Sequence, residues 1–329
     1  MDGLSIMDKS AQIVIKMYIS PMANLGYSFL LVLTAFIWGS AFVAQVEGNV
    51  AGPFAFTCIR NFIGAAFLLG VVKVLDYVHK KRNLVSKKPV SAEEKKLLWK
   101  AGIFCGIALF FAMNLQQLGI FMGTSAGKSG FLTACYIVLV PVLGIFVGRK
   151  SSIKLWLCVA ITLVGLFFLC IKGDFTIESS DCVLLLCALA FAVQIMVVDR
   201  YIAQVDGVRL SFIQFLVSAV LSIFPMIFLD IKCDMNLVVQ ALEGYSHLNA
   251  WIPLLYTAIL STGIAYTLQI VAQNKIEPTL ASLLMSLESV FAVLSGWAVL
   301  GEHLSSRELA GCALMAVAIV LAQVNLKKG

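Results

Sequence analysis

Ten runs of almost uninterrupted apolar residues, each close to twenty residues long, divide this sequence, and nothing else in it restricts the fold as severely. They fall at 27–46, 53–74, 98–120, 124–147, 154–172, 181–200, 208–229, 250–273, 278–300 and 307–325. About 20 residues of helix cross a hydrocarbon core of about 30 Å, so each run is long enough to span a bilayer. Hydrophobic residues make up 60% of the chain and charged residues 13%, against about 25% charged in a soluble globular chain. Lipid is therefore the solvent. The expected fold is an all-α integral membrane protein of ten transmembrane helices, with no polar stretch large enough to fold separately.

Basic residues test the count of ten. If the N-terminus is cytoplasmic, nineteen of the 24 Lys and Arg fall in the inner segments, nine of them from Lys73 to Lys100 in and around the loop 75–97, and only Lys172, Lys232 and Arg307 fall outside. That segregation is the positive-inside pattern. It places both termini and 75–97 in the cytoplasm and the mildly acidic loop 230–249 outside. Residues 1–26 read as a cytoplasmic tail or an interfacial amphipathic helix over 11–22, not as a cleaved signal, because the run after Tyr27 is full length. Cys58, Cys105, Cys135, Cys158, Cys170, Cys187 and Cys312 lie inside apolar runs, where a thiol packs as a small hydrophobe.

An internal repeat runs through the chain. A shift of 152 residues superposes Gln117 on Gln269, Leu132 on Leu284, Val138 on Val290, Gly144 on Gly296 and Leu157 on Leu309. Five helices per half is an odd number, so 27–172 and 181–325 are expected as two inverted five-helix repeats, an architecture that binds solute near the midplane between them.

Trp38-Gly39-Ser40 in the first run, Arg60 in the second, Gln117 through Pro141, Leu287-Glu288-Ser289 in the ninth, Gly301-Glu302 after it and Gly311 in the tenth resemble the drug/metabolite transporter superfamily, specifically its EamA-type members. The resemblance covers about 27 to 325. Many relatives have Pro where this chain has Ser289, and Lys150 stands in the first half where Glu302 stands in the second. The resemblance implies a bacterial inner-membrane permease, commonly an exporter of amino acids or other small metabolites, with no cofactor.

Polar residues inside the runs are the candidate site. A charge at the bilayer centre costs at least about 2.5–3.5 kcal/mol on insertion scales. Glu288 lies about 15 Å into the ninth run, too deep for so short a side chain to reach the interface, and is read as a carboxylate binding a proton or a substrate ammonium; a carboxyl bonded between packed helices is the competing reading. Arg60, about 10 Å in, faces the cavity or snorkels to the headgroups. Lys128, one turn into the fourth run, attracts a carboxylate or phosphate, or serves as an interfacial lysine. Thr262, Tyr266, Gln269 and Gln273 form one polar face on the eighth run, and Asn114 and Gln117 another on the third. Such faces line a cavity or hold helices together by hydrogen bonds. Trp38 and Tyr136 supply aromatic walls. The expected partners are a small-molecule substrate and the lipid bilayer, not nucleic acid, and a monomer suffices.

Other classes find less support. His79, His247 and His303 all fall between runs, and no HExxH occurs. No GxxxxGK[ST] loop exists for ATP-driven pumping, and no filter loop or charge ring marks a channel. The alternatives kept are a receptor or assembly factor on a transporter fold, and a uniporter for a nucleoside-like or drug-like metabolite. The topology predicts that a cysteine placed at Asn83, on a background lacking native thiols, stays unlabelled by membrane-impermeant reagent added to intact cells; labelling from outside would invert the orientation.

Overall fold

The computed structural model describes residues 9–48, 50–82, 89, 91–149, 151–170, 178–300 and 305–323. Lys150, Gly301-Glu302, His303, Lys172, Asn83 and the first eight residues of the tail lie outside the described residues. Ten apolar helices are described: α1 (Lys9–Glu47), α2 (Pro53–Lys81), α3 (Ala92–Phe121), α4 (Ala126–Ala134 continued by Tyr136–Phe146), α5 (Ile153–Cys170), α6 (Ser179–Tyr201), α7 (Gly207–Asp230), α8 (Leu248–Gln273), α9 (Pro278–Met285 continued by Glu288–Leu300) and α10 (Ser306–Gln323). Among the described residues nine of these are long and apolar enough to cross a membrane, α1 through its portion Leu25–Glu47, and α5 falls just short, as an apolar helix over Ile153–Leu169. A short helix, Met235–Gly244, occupies the connection between α7 and α8.

Local chemistry explains the helix ends. Ser91 and Glu94 form a reciprocal cap at the start of α3, Pro53 takes the first turn of α2, and Asp206 caps α7 through the amide of Arg209. Gly52 holds a φ of 99° ahead of α2, and Asp230 at the far end of α7 accepts from the amide of Ala55 at 2.7 Å. One helix thus caps the next.

Equivalent helices of the two repeats run antiparallel, which gives the inversion directly. Along α2 and α7, Ala55 meets Asp230, Asn61 donates to Ser218 at 3.0 Å, and Asp76 pairs with Arg209. Along α5 and α10, Lys154 reaches the carbonyl of Ala322 while Gly165 meets Gly311. Further pairings follow the same twofold: α1 packs on α8 and α9, as α6 packs on α3 and α4.

The repeat also fixes where helices break. α4 interrupts at Cys135, whose amide turns back to Leu132, and α9 interrupts at Ser286 and Leu287, with the amide of Leu287 turning back to Leu284. These tight turns stand 152 residues apart, and immediately after them come Tyr136 and Glu288. Pro225 and Pro253 act differently. Each withholds an amide and crowds the preceding turn, and each is followed by a widened π segment, Met226–Asp230 in α7 and Tyr256–Ala265 in α8.

Small residues allow the closest approaches. A Cβ on Gly102 or Gly106 would run into Ile213 or Val217 of α7, so this GxxxG pair seats α3 on α7. A Cβ on Gly311 would lie 2.6 Å from the carbonyl of Gly165 and 2.8 Å from the amide of Leu169, both rigid backbone. Gly311→Val is accordingly expected to cost about 1–3 kcal/mol by overpacking, while Gly127→Ala, with nothing within 4 Å, leaves thermal unfolding in detergent at or above the parent value. Equal melting of the two variants would contradict this packing.

Candidate functional site

α1, α2, α3, α4, α6, α8 and α9 converge on a single cavity lined by Trp38, Phe42, Gln45, Arg60, Gln116, Thr133, Tyr136, Phe191, Ser261, Tyr266 and Glu288. Gln45 lies two residues from the end of α1 and Gln116 five from the end of α3. The cavity therefore sits nearer the end of the bundle opposite the loop 75–97; the end carrying that loop is called the basic end below. Its volume is about 30 Å³, where a single water needs about 10–15 Å³. A solute of several heavy atoms fits only when the walls part.

Arg60 is 2% exposed and stands 5.7 Å from the centroid of the Phe56 ring. Nη1 donates to Gln45 Oε1 at 3.0 Å, and Nε is buried with no hydrogen-bond partner. A guanidinium carries five N–H donors in a fork that matches a carboxylate, and among the described residues no carboxylate lies within ion-pair distance of it. Gln45 is itself held, since its Nε2 donates to the carbonyl of Ala41 and its carbonyl accepts from Gln117 at 3.1 Å.

Glu288 is 3% exposed, and its Oε1 has no hydrogen-bond partner. The Tyr136 phenol stands beside the carboxyl. Both owe their position to the broken turns of α4 and α9. Gly39 lets α1 lie against the backbone of Glu288: a Cβ there would stand 2.5 Å from the Glu288 carbonyl. Tyr266 is close enough to feel both Arg60 and Glu288. Its ring leans on Trp38, 4.5 Å between centroids, and on Phe215 at 5.1 Å. The π segment of α8 offers the carbonyl of Ser261 to Trp38 Nε1 at 3.3 Å and that of Ala265 to Thr34 at 3.2 Å. Tyr256 bonds Ser40 at 2.5 Å.

Five of the residues singled out by sequence, Trp38, Arg60, Tyr136, Tyr266 and Glu288, meet in this cavity. Four lie elsewhere. Asn114 donates to Ser222 at 2.9 Å and so ties α3 to α7; Gln117 supports Gln45 from behind; Gln269 donates to Gln194 at 3.2 Å between α8 and α6. Lys128 pairs with Asp181 at 2.8 Å and with Glu178 at 3.9 Å at the mouth of α4 and α6. Gln45, Gln116 and Thr133 enter the wall without having been singled out. Gln45 was legible in principle, because 38, 42 and 45 share a helical face; choosing Gln116 over its neighbour Gln117 needs the helix rotation.

The basic end is closed. Arg149 pairs with Asp199, Arg209 with Asp76, and Ser151 bonds Thr279 at 2.8 Å. Glu277, in the connection before α9, is held above the usual carboxylate range by burial, with Arg149 opposing the shift and Asp199 adding to it.

The model of the EamA-like transporter family matches this chain twice, over residues 25–171 and 178–323. The chain belongs to that family. An Archaeoglobus fulgidus protein described as an uncharacterized transporter is 30% identical over 298 residues, 90% of this chain and 85% of its own. A Bacillus subtilis protein, the uncharacterized transporter YoaV, is 22% identical over 296 residues, covering 87% and 92%. A solved crystal structure only 16% identical superposes with a TM-score of 0.70 over 90% of this chain and 96% of that one, which shows a shared fold. For this EamA-like transporter the cavity geometry predicts that Gln45→Leu, which strips Arg60 of its acceptor, costs about 1–3 kcal/mol in thermal unfolding of the purified protein. Unchanged melting would mean that Arg60 does not depend on Gln45.

Proposed function

We propose that this protein is a secondary transporter that moves a small zwitterion, an amino acid or a related metabolite, out of a bacterial cell across the inner membrane by alternating access. One observation carries the reading: Arg60 and Glu288 line the same buried cavity without pairing with each other, with Tyr266 close to both. A buried charge left unpaired is costly unless something else neutralises it. A zwitterion neutralises both, its carboxylate on the Arg60 fork and its ammonium on Glu288. Trp38 and Phe191 leave an apolar wall for a side chain.

Coupling follows from the same carboxyl. Glu288 holds either a proton or the substrate ammonium, so release of one admits the other, and a proton gradient drives export by exchange. Tyr136 orients the carboxyl. The positive-inside distribution of Lys and Arg supports cytoplasmic termini. A cavity nearer the end opposite the basic end then lies toward the outside, and its walls part on that side to release the solute.

Flux into proteoliposomes without nucleotide tests the reading. Amino acids are expected to accumulate against their gradient when a pH gradient is imposed. Glu288→Gln keeps shape and hydrogen bonding while removing titration, so it is expected to abolish uphill flux and to leave pH-independent exchange. Arg60→Lys replaces a fork by a point charge and is expected to raise KM about 10-fold or more, in line with the ~1.5–3 kcal/mol of a charged hydrogen bond. Tyr136→Phe is expected to weaken binding with coupling retained. Uphill flux of normal pH profile in Glu288→Gln would refute the coupling role, and binding without flux would favour a receptor.

A further inference from the structure

Three glutamines meet between α6, α7 and α8 on the basic-end side of the cavity. Gln269 donates to Gln194 at 3.2 Å, and Gln194 donates to Gln214 at 3.4 Å. Each is at most 1% exposed. The chain of amides is unfinished at both ends: Gln269 Oε1 and Gln214 Nε2 are buried with no hydrogen-bond partner, and so are Gln273 Oε1 and Ser211 Oγ on the same two helices. Buried polar groups in a folded protein are nearly always paired. Here these four atoms on α7 and α8 go without a partner.

The repeat says what the place is. Gln214 stands seven residues after Gly207 at the start of α7, as Arg60 stands seven after Pro53 at the start of α2, a shift along this helix pair of 154, two more than the 152 of the sequence repeat. Gln269 is the 152-residue counterpart of Gln117. The twofold that inverts the repeats therefore carries the neighbourhood of the cavity onto this cluster, on the other side of the midplane. Between the cluster and the basic end lie Val198, Ile202, Leu210 and Ile270, fully buried or nearly so, and the Arg209–Asp76 pair.

We infer that Gln194, Gln214 and Gln269 line the second half of the solute path, running between α6, α7 and α8 to the basic end, shut in this conformation and hydrated when the repeats exchange shapes. Its ligands are water and the polar ends of a small solute. Neutral amides serve a carboxylate and an ammonium alike, and carry no charge that would hold either. Where Arg60 and Glu288 bind, this half passes the solute on. The inference rests on the transporter reading above, though not on the choice of an amino acid as substrate.

Thiol labelling distinguishes the two. Gln214→Cys is made on a chain whose nine native cysteines are replaced by alanine or serine, and a small charged methanethiosulfonate is applied from the basic-end side. Asp76→Asn and, separately, Arg209→Ala unlock the seal. Labelling is expected to rise at least 10-fold in either unlocked background, while labelling of Gln45→Cys from the opposite side falls. Labelling of Gln214→Cys that stays undetectable in both backgrounds, in monodisperse protein whose Gln45→Cys counterpart still reacts, overturns the inference. A reciprocal shift in a protein that moves no amino acid supports the path and overturns only the substrate class.

Discussion

A backbone that leaves the α-helical ladder inside a bilayer must find partners other than water, and three departures in this bundle lie deep among its helices, apart from the widened turn Met226–Asp230 at the end of α7, which has no buried residue. α4 and α9 break at Cys135 and at Ser286–Leu287, and α8 widens over Tyr256–Ala265. Around these departures the released groups are taken up by neighbours: Trp38 and Thr34 bond carbonyls of the widened turn, and Ser289 donates to the carbonyl of Gly130 across the two broken helices at 3.1 Å. Regular helices elsewhere give the frame. The irregular ones place Tyr136, Tyr266 and Glu288 together.

Charge distribution joins that frame to transport. At both mouths of the bundle opposite charges pair, Lys128 with Asp181 at one end and Arg149 with Asp199 at the other. In the cavity they do not. The Arg149–Asp199 pair is partly solvated and inexpensive to part and remake, whereas Lys128 meets an Asp181 that is buried. On the proposed reading, an Arg60 guanidinium and a Glu288 carboxyl that line one small volume without pairing with each other await a solute of matching charges. Membership of the EamA-like transporter family supports a role in transport.

The broad fold was legible because the signals that carry it are long. Runs of about twenty apolar residues, the segregation of Lys and Arg, and a constant shift of 152 survive small errors in any one position. The site was legible in part. Glu288 and Arg60 declared themselves because a charge in lipid is expensive wherever it points. Amides did not: Asn114, Gln117 and Gln269 lie on the polar faces the spacing indicates, yet those faces turn toward other helices, since helix rotation in lipid is set by packing and not by a water-facing side. The π segments were not legible at all. Pro225 and Pro253 announce a disturbance, but whether it becomes a kink or a widened turn depends on which neighbours accept the released carbonyls.

The central claim is that one cavity recognises both ends of a zwitterion, and competition by substrate analogues addresses it most directly. A transported amino acid would be compared with its amide, which lacks the carboxylate, and with its deaminated acid, which lacks the ammonium, each as a competitor of flux in proteoliposomes. Both analogues are expected to inhibit at least about 10-fold more weakly than the parent, the scale on which one charged hydrogen bond is lost, and Arg60→Lys is expected to narrow the gap for the amide alone. Inhibition by both analogues as strong as by the parent, or stronger inhibition by an uncharged nucleoside-like solute, would contradict the account.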